Sequence, residues 1–480
     1  MELHISLEGK RDLGGQLYRQ LSEAIRGGRL AHGQQLPPSR LLASQLGLSR
    51  KTVSDVYDRL GYEQLLVGKV GVGSFVQAPP AAPQPRPAGA ALASSARLAR
   101  WEAIDRPLVQ GPRSEFARYT FIGGRATPAL FPHDEWRRCV QHALRQERGE
   151  RGNYGPVAGL PALRTAIAGH AAFTRGIVCT PEQILVTNGA QQALSLLAHT
   201  LLEPGETVVV EEPGYPMARQ LFEAMGAHVV GVEVDQEGML VDQIPDGARL
   251  IYATPTHQFP LGMPMSTARR QALLQRACEL GAIIIEDDYD SAFRYEGRPT
   301  DALQSMDRHG LVAHVGSFSK TMLPELRMGY VVLPTALVRA VQTVKHLTDW
   351  HTPSLVQLAL ARFIEDGHLL RHIRRCHDVY AGRRERLWHW FDGPLAPWFA
   401  LVPATAGFHV AALVKEHVPL DIAQLLRHAR RADVGLLSIA PFYHGAPRRQ
   451  GLYLGYGAID TLDIDAALGI LLGILQDLLP

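Results

Sequence analysis

The sequence predicts two folded parts, a small helical unit that ends in a two-stranded hairpin and a large α/β domain whose sheet is mixed but mostly parallel. Three observations carry this prediction. Apolar residues recur at helical spacing near the N-terminus, five prolines and nine alanines fall within residues 78–100, and short β-branched runs alternate with helical segments from residue 183 onwards. Because proline fixes φ and lacks an N–H donor, the proline-rich stretch favours a semi-extended linker between the two parts.

The length of 480 residues is too great for one ordinary domain and allows two or more cores. The expected bounds are 1–77 for the small unit, 78–115 for the linker and 116–480 for the large domain, with the main part of that domain at about 155–355 and a smaller α+β part at 116–154 plus 356–480.

Composition argues against several classes of protein. A hydrophobic content of 46% with 20% charged residues is typical of a globular chain, and a net charge of +2 means that any surface for nucleic acid is local. The four cysteines form no CxxC pair, which argues against a disulfide framework or a metal site and for a reducing cytosol. The N-terminus MELHISLEGKRD is too charged for a signal peptide, and the most apolar stretch, 466–475, is about half the length that spans a bilayer. We expect a cytoplasmic protein without a membrane segment.

The small unit is predicted to hold three helices. Leu17, Leu21 and Ile25 share one face of the first helix. Serines are the expected N-caps of the other two, Ser39 for RLLASQLG and Ser49 for RKTVSDVYDRLGYEQ. The alternating, glycine-containing run LLVGKVGVGSFVQ then predicts a hairpin. Two helices joined by a short turn and followed by a β wing form the winged helix-turn-helix pattern, which binds DNA.

Basic and small residues of this unit lie where such motifs touch DNA, at the start of the third helix and in the wing. The candidate DNA contacts are Arg40, Ser49, Arg50, Lys51, Thr52, Lys69, Gly71 and Gly73. Residues 1–77 carry ten Lys and Arg against seven Asp and Glu, which is only a modest basic footprint. On pattern alone, a small dimerisation module whose basic residues face water is the alternative.

Short apolar runs in the large domain predict buried strands. The runs are QILVTN, TVVVEEP, AHVVGVEV, RLIYATP, AIIIEDD and LVAHVGSFS. Each is followed by turn residues or a helical segment, which is the order expected of an α/β fold with parallel strands.

Two segments at predicted strand ends suggest a ligand. In LVTNGAQQAL (185–194) the backbone N–H groups of Gly189, Ala190 and Gln191 would face an anion at a helix N-terminus, although such turns are common in α/β proteins. In IIIEDDYDSAF (283–293), Asp287 opposite a protonated pyridine nitrogen would strengthen that ring as an electron sink, and Tyr289 can donate to a ring phenolate. A solvated acidic strand end or a magnesium site is the alternative for the second segment.

A third segment, GSFSKTMLPELRMGY (316–330), places Lys320 at the carboxyl edge of the sheet, where ligands of open α/β folds bind. Burial and the nearby Arg327 would lower the pKa of this lysine and free its amine for a Schiff base, whereas a lone lysine can equally be structural. Ser317, Ser319 and Arg327 would hold a phosphate. Together the three segments predict pyridoxal 5′-phosphate (PLP).

The local sequence is more specific than these patterns. Residues QLYRQLSEAIRGGRLAHGQQLPPSRLLASQLGLSRKTVSDVYDRLGYE resemble the GntR-type winged helix-turn-helix, and residues 116–480 resemble fold-type I aminotransferases, which are PLP-dependent transferases. The two joined, with TPTHQFPLG and IIIEDDYDSAFRY, resemble the MocR subfamily of GntR-type bacterial transcriptional regulators. This resemblance implies Lys320 as the Schiff-base lysine, Asp287 at the pyridine nitrogen, Tyr289 at the ring oxygen, Ser317, Ser319 and Arg327 at the phosphate, and Tyr215 of EEPGYP stacked on the ring. Segment 153–170 matches the substrate-side turn of the family.

The chain departs from the aminotransferase pattern in two places. An Asn-Pro step that hydrogen-bonds the ring oxygen is replaced by THQFPLG, which leaves His257 or Gln258 to take its place. The arginine that forks onto a substrate carboxylate is replaced by Tyr453, and a tyrosine offers no bidentate cation. Arg448 and Arg449 lie nearby in the sequence, and we expect both to be solvated.

Three functions therefore stay open at this point. The first is a homodimeric transcriptional regulator that binds double-stranded DNA, holds PLP and responds to a small amine, an amino acid or PLP itself. The second is a working aminotransferase with an accessory DNA-binding module, against which the missing arginine counts. The third is a DNA-binding module whose cofactor pocket is vestigial. A switch requires that the effector bind two states of the protein with different affinity.

Overall fold

The computed structural model describes residues 5–9, 11–69, 71–77, 96–104, 117–124, 126–146, 153–296 and 301–479. The chain divides into two compact units, Met1–Ser95 and Ala96–Pro480.

The first unit is the predicted winged helix-turn-helix. Its elements are α1 (Leu13–Arg26), α2 (Ser39–Leu46), α3 (Arg50–Tyr62), β1 (Leu66–Lys69) and β2 (Gly73–Val76). The strands pair antiparallel as the wing. Leu17, Val53 and Leu60 are fully buried, so the apolar faces of α1 and α3 form one core with the inner side of α2. Gly47 ends α2 in the left-handed conformation, at φ +65°, where a side chain would cost energy.

One of the two predicted helix caps is correct. The Ser49 side chain accepts a hydrogen bond from the Thr52 backbone N–H at 3.0 Å and caps α3. The prediction for Ser39 is wrong, because α2 begins at this serine and Pro38 holds the N-cap position without a side-chain bond. The extended backbone that proline favours, here φ −54° and ψ 141°, is suited to that position.

The linker prediction is also wrong over its described part. Residues 96–104 contain a helix, α4 (Ala96–Glu102), where a semi-extended chain was expected. The segment ARLARWE follows the last proline of this stretch and consists largely of residues with good helix propensity. Residues 78–95 and 105–116 lie outside the described residues.

The second unit contains most of the secondary structure. Its helices are α5 (His133–Gln146), α6 (Pro161–Arg175), α7 (Ala190–Leu201), α8 (Pro216–Ala224), α9 (Thr267–Leu280), α10 (Leu303–Met306), α11 (Val338–Thr348), α12 (Ser354–Glu365), α13 (His368–Asp392), α14 (Ile422–Arg431) and α15 (Thr461–Leu478). Its strands are β3 (Tyr119–Thr120), β4 (Ile184–Thr187), β5 (Thr207–Glu212), β6 (His228–Asp235), β7 (Gly238–Met239), β8 (Ala248–Ala253), β9 (Ile283–Asp288), β10 (Val312–Ser317), β11 (Gly329–Val332), β12 (Phe399–Leu401), β13 (His409–Val414), β14 (Val434–Gly435), β15 (Leu437–Ser438) and β16 (Gly451–Gly455).

Eight strands form the main sheet, in the order β4-β11-β10-β9-β8-β5-β6-β7. The five central strands from β10 to β6 are parallel, and β11 and β7 run antiparallel to their neighbours. All six predicted strand runs lie in this sheet, so the prediction of a mixed, mostly parallel α/β fold is confirmed. Helices α7, α8 and α11 cover one face, and α6, α9 and α12 cover the other.

The smaller part has a four-stranded sheet, β12-β13-β16-β15, packed against α13, α14 and α15. Strand β3 pairs in parallel with β14 in a separate two-stranded sheet of this part. Helices α5 and α12, which the sequence assigned to this part, instead share a core with α6 on the main sheet. No helix within the described residues is long and apolar enough to cross a membrane.

Candidate cofactor and effector site

Three acidic residues at the end of β9, Glu286, Asp287 and Asp288, point to alternating faces of the sheet. Glu286 accepts from His314 Nδ1 at 3.1 Å, and Asp288 accepts from Arg175 Nε at 2.6 Å, both on one face. A cavity of ≈ 370 Å³ opens beside this Arg175–Asp288 pair. Because side chains alternate along a strand, Asp287 alone points to the opposite face.

Asp287 is buried and only half satisfied. Its Oδ2 accepts from the Tyr252 hydroxyl at 2.7 Å, and its Oδ1 is buried without a hydrogen-bond partner among the described residues. Burial raises the pKa of Asp287 to about 6, and the Tyr252 hydrogen bond opposes that rise. A protonated ring nitrogen would both donate to Oδ1 and supply the missing positive charge, so the residues present here fit the pyridine ring of PLP.

Tyr215 lies close enough to Asp287 and to Arg327 for both charges to act on its hydroxyl. Its ring stacks at 25° on that of Tyr252, with centroids 6.5 Å apart, and meets Phe259 edge-on at 5.5 Å. Burial raises the pKa of Tyr215 to about 12, with a further rise from Asp287 and an opposing effect of Arg327. The hydroxyl therefore stays neutral, and the ring can cover a planar ligand.

The residues predicted to cradle an anion lie at the start of α7. Gly189 takes φ +81° at the N-cap, and a Cβ there would lie 2.8 Å from Arg327 Nη2. Arg327 donates through Nη2 to the Asn188 carbonyl at 3.0 Å, so its guanidinium lies at the cradle. Ala190 and Gln191 form the first turn of α7, and Ser317 Oγ accepts from the Ser319 N–H at 3.1 Å. A helix N-terminus beside a guanidinium is suited to a phosphate.

Lys320 follows β10 and reaches the smaller part. Its Nζ donates to the Gly124 carbonyl at 2.5 Å and lies 5.9 Å from the centroid of the Phe408 ring. A Cβ built on Gly124 would lie 3.0 Å from the Tyr453 hydroxyl and 3.6 Å from Lys320 Nζ. The amine and the Tyr453 hydroxyl therefore flank the same glycine.

A buried carboxylate joins two imidazoles beside this lysine. Asp290 lies 2.8 Å from His257 Nδ1 and 3.7 Å from His409 Nδ1. Burial lowers the pKa of His409 to about 4, and the neighbouring charges of His257 and Lys320 add to this lowering. These three residues offer ligand atoms within 4.8 Å of one another, but the 2.8 Å contact is a normal hydrogen bond, for which a proton suffices.

His257 and Gln258 were the candidates to replace the asparagine that hydrogen-bonds the ring oxygen of PLP, and the side chains of both already make hydrogen bonds within the protein. Gln258 is engaged by backbone groups: its Nε2 donates to the carbonyls of Phe259 in its own loop and of Pro213 after β5, and its Oε1 accepts from the Leu261 N–H. His257 directs Nδ1 at Asp290, while its Nε2 is buried without a partner among the described residues. The Tyr289 hydroxyl, predicted for the ring oxygen, donates to the His257 carbonyl at 3.0 Å.

Most DNA-contact candidates lie at the surface of the first unit. Arg40, Ser49, Arg50, Lys51, Lys69 and Gly71 are exposed, whereas Thr52 and Gly73 are partly buried. The Thr52 and Ser49 hydroxyls form a hydrogen bond of 2.8 Å, so the Thr52 side chain belongs to the N-terminal cap of α3. In the wing, Gln35 Nε2 donates to the Val72 carbonyl at 2.7 Å and holds the turn between the strands.

Comparisons with known proteins decide the family. A family model described as bacterial regulatory proteins of the gntR family matches residues 13–76, and that of aminotransferase class I and II matches residues 129–426. The probable rhizopine catabolism regulatory protein MocR of Rhizobium meliloti is 36% identical over 93% of this chain and 90% of its own length. The chain belongs to the MocR-type GntR regulators. It is accordingly a transcriptional regulator with a DNA-binding GntR domain and an aminotransferase domain.

The chain is also similar to a second transcriptional regulator and to solved aminotransferase structures. The pyridoxine biosynthesis transcriptional regulator PdxR of Corynebacterium glutamicum is 31% identical over 93% of this chain and 92% of its own length. Among solved structures, the α-aminoadipate aminotransferase LysN of Thermus thermophilus, complexed with N-(5′-phosphopyridoxyl)-L-leucine, is 27% identical. The superposition covers 81% of this chain and 98% of the LysN chain, with a TM-score of 0.71.

Several residues of the site escaped the sequence prediction. They are Gly124, Tyr252, Asp290, Phe408, His409 and Glu211, a buried acid at the end of β5 that accepts from the Thr254 hydroxyl and feels the charge of Asp287. Tyr252 and Glu211 lie on strands that were predicted, but only the three-dimensional order of β8, β5 and β9 brings them beside Asp287. A search for polar residues at the carboxyl ends of all predicted strands would have found Glu211.

Proposed function

We propose that this MocR-type regulator binds PLP at Lys320 and that a small amine effector, or PLP itself, changes its binding to double-stranded DNA. The observation that carries the proposal is the buried Oδ1 of Asp287, which has no hydrogen-bond partner among the described residues and lies near Tyr215, Arg327 and Gly189. An acceptor of this kind costs free energy unless a ligand donates to it.

Each residue would have a separate task in holding the cofactor. Asp287 would accept from the ring nitrogen, Tyr215 would cover the ring, and the N–H groups at the start of α7 together with Arg327 would hold the phosphate. Bound PLP supplies an aldehyde carbon that a primary amine can attack. Lys320 would provide that amine in the resting protein, and an incoming effector amine would compete with it.

The contact of Lys320 with Gly124 supports a switch. A lysine displaced by an effector is an ammonium, and in this structure the amine donates to the Gly124 carbonyl. Gly124 belongs to segment 117–124, which follows the predicted linker in the chain and pairs through β3 with β14. The occupancy of one hydrogen bond on this segment would thus differ between the two states, which gives the effector unequal affinity for them.

We also propose a homodimer. The exposed rings of Tyr154 and Trp350 pack at 4.2 Å, and Leu347 nearby in α11 is 77% exposed. This apolar patch adjoins the cradle through Asp349, which accepts from Asn188 Nδ2 at 3.0 Å. Exposed patches of large apolar residues mark interaction surfaces, and two linked DNA readers gain affinity from effective concentration. Because its target is chromosomal DNA, we place the protein in the bacterial cytoplasm.

Cofactor binding is tested by trapping. Protein loaded with PLP is expected to be yellow, and borohydride is expected to attach the cofactor to Lys320, as read by peptide mass spectrometry. Lys320→Ala should lose the adduct, whereas Lys415→Ala, which alters a lysine on the smaller part, should keep it. A colourless, untrappable protein would contradict the proposal and favour a vestigial pocket.

The switch is tested by footprinting the DNA near the protein's own gene, with apoprotein, PLP-loaded protein and PLP-loaded protein plus amine. We expect the footprint to change in length or strength between these states. Identical footprints in all three would refute sensing. Rapid turnover of an amino acid with a keto acid would instead support the alternative of a working aminotransferase.

A further inference from the structure

Tyr453 forms part of an aromatic wall beside Lys320. It lies in the middle of β16, is 3% exposed, and stacks on His409 at 4.7 Å with an interplanar angle of 25°. Phe442 at 5.6 Å and Phe259 at 5.9 Å complete its ring contacts. With Phe408 under the Lys320 amine, this side of the site consists of uncharged rings.

The Tyr453 and His409 rings of this wall offer no positive charge to an anion. Burial raises the pKa of Tyr453 far above its usual value, so its hydroxyl is neutral, and the Asp290 carboxylate adds to that rise. Burial lowers the pKa of His409, so this imidazole is also neutral near pH 7. A carboxylate beside these rings would lose its hydration without gaining a cationic partner from them, and Asp290, which is hydrogen-bonded to His257, offers it no attraction.

The two arginines that precede Tyr453 closely in the sequence are both exposed. Arg448 is exposed and forms an ion pair with Glu233 on β6, and Arg449 is exposed on the same loop. Arg327, at the other end of the site, lies against the cradle carbonyl of Asn188. Among the residues that the structure describes, the polar group of this wall that faces Gly124 is the neutral hydroxyl of Tyr453, which cannot give a carboxylate two charged hydrogen bonds.

We propose that the effector is a primary amine without a carboxylate beside the amino group, and that Tyr453 determines this choice. The inference rests on the proposed function, because it assumes that an amine reaches PLP beside Lys320. The wall suits the aliphatic or aromatic body of such an amine, and the face of a neutral ring also attracts a second ammonium group.

The test uses matched pairs of compounds that differ only in the carboxylate: putrescine against ornithine, and tyramine against tyrosine. Each is titrated into PLP-loaded full-length protein while the cofactor absorption band is followed. We expect each decarboxylated amine to bind on the order of tenfold or more tighter than its amino acid, since an unpaired buried carboxylate costs more than the 1.4 kcal/mol of a tenfold change.

Two variants separate specificity from folding. Tyr453→Phe keeps the ring on His409 and removes only the hydroxyl, so the preference for amines should persist within a few-fold. Tyr453→Arg should reduce or reverse the preference, because it adds a cationic fork at the wall. The PLP band and the thermal unfolding of each variant show whether the site is intact, and the wild-type pairs decide the question even where Tyr453→Arg does not fold.

The outcomes distinguish the two proposals. Amino acids that bind as tightly as their decarboxylated partners would overturn the inference and leave PLP sensing intact. Trapped PLP with no response to any of the four compounds would overturn amine sensing and this inference with it. Protein without a trappable chromophore would overturn the proposed function itself.

Discussion

The buried carboxylate of Asp287 should make the stability of the cofactor-free protein depend on pH. Its folded pKa of about 6 lies above the ordinary 3.8, because burial disfavours the charged form. An acid whose pKa is raised on folding binds its proton more tightly in the folded state, so it stabilises at low pH. This stability is complete below pH 3.8 and is lost as the pH rises through about 6.

The magnitude follows from linkage. At pH 5 the folded carboxyl lies about one unit below its pKa and contributes about 1.4 kcal/mol, and at pH 8 its contribution is near zero. Asp287→Asn removes this dependence. An unsatisfied amide nitrogen costs free energy of its own, but that cost does not vary with pH. The free energy of unfolding of the variant minus that of wild type should therefore rise by about 1.4 kcal/mol between pH 5 and pH 8.

The assay is denaturant unfolding of apoprotein at several pH values, with the fluorescence of the second unit as the signal. Repeating it with PLP bound provides the contrast, since a cation on Oδ1 should keep Asp287 ionised and abolish the wild-type decline. Parallel pH profiles of variant and wild-type apoprotein would refute the burial argument. An unchanged decline in the loaded wild type would refute contact between the ring nitrogen and Asp287.

Three further perturbations test other parts of the molecule. Gly189→Ala places a Cβ 2.8 Å from Arg327 Nη2 and should weaken PLP binding at least about tenfold, whereas Gly205→Ala, at a similar positive φ with open space around it, should bind PLP normally in an equilibrium titration. Arg175→Met leaves Asp288 buried without its cation and should destabilise the protein by about 3–5 kcal/mol in chemical denaturation. Arg137→Met, at an exposed pair, should cost less than about 1 kcal/mol, and equal losses would contradict this reading. Lys51→Ala should lower the salt slope of DNA binding by about one, while Arg29→Ala, outside the predicted contacts, should leave it unchanged; equal slopes in all three proteins would remove Lys51 from the interface.

Local patterns predicted much of the fold. The strand runs were predictable because each is short, β-branched and bounded by turn residues, and the cap at Ser49 was predictable because its partner is three residues away. Helix α4 was missed since the prolines before it dominated the composition of the stretch. Ser39 was misassigned by one position because the proline before it takes the extended backbone of the cap.

Long-range partners were beyond such patterns. Asp288 meets Arg175 across 113 residues of sequence, and Asp287 meets Tyr252 across 35. Nothing in the segment IIIEDDYDSAF says which acid is paired and which is left open, because that depends on the neighbouring strands and on helix α6. The same limit explains why the engagement of Gln258, a candidate for the ring oxygen from the sequence, was missed: its amide donates to the Pro213 carbonyl, 45 residues earlier in the chain.

The acidic end of β9 also fixes how this strand sits in the sheet. A slip by one residue would turn Asp287 toward Arg175 and His314 and would bring Glu286 and Asp288 together onto the opposite face, where two like charges would meet a tyrosine hydroxyl. The Arg175–Asp288 ion pair on the other face of the sheet thus favours the observed register of the strand. The position of Asp287 therefore depends in part on residues that it does not contact.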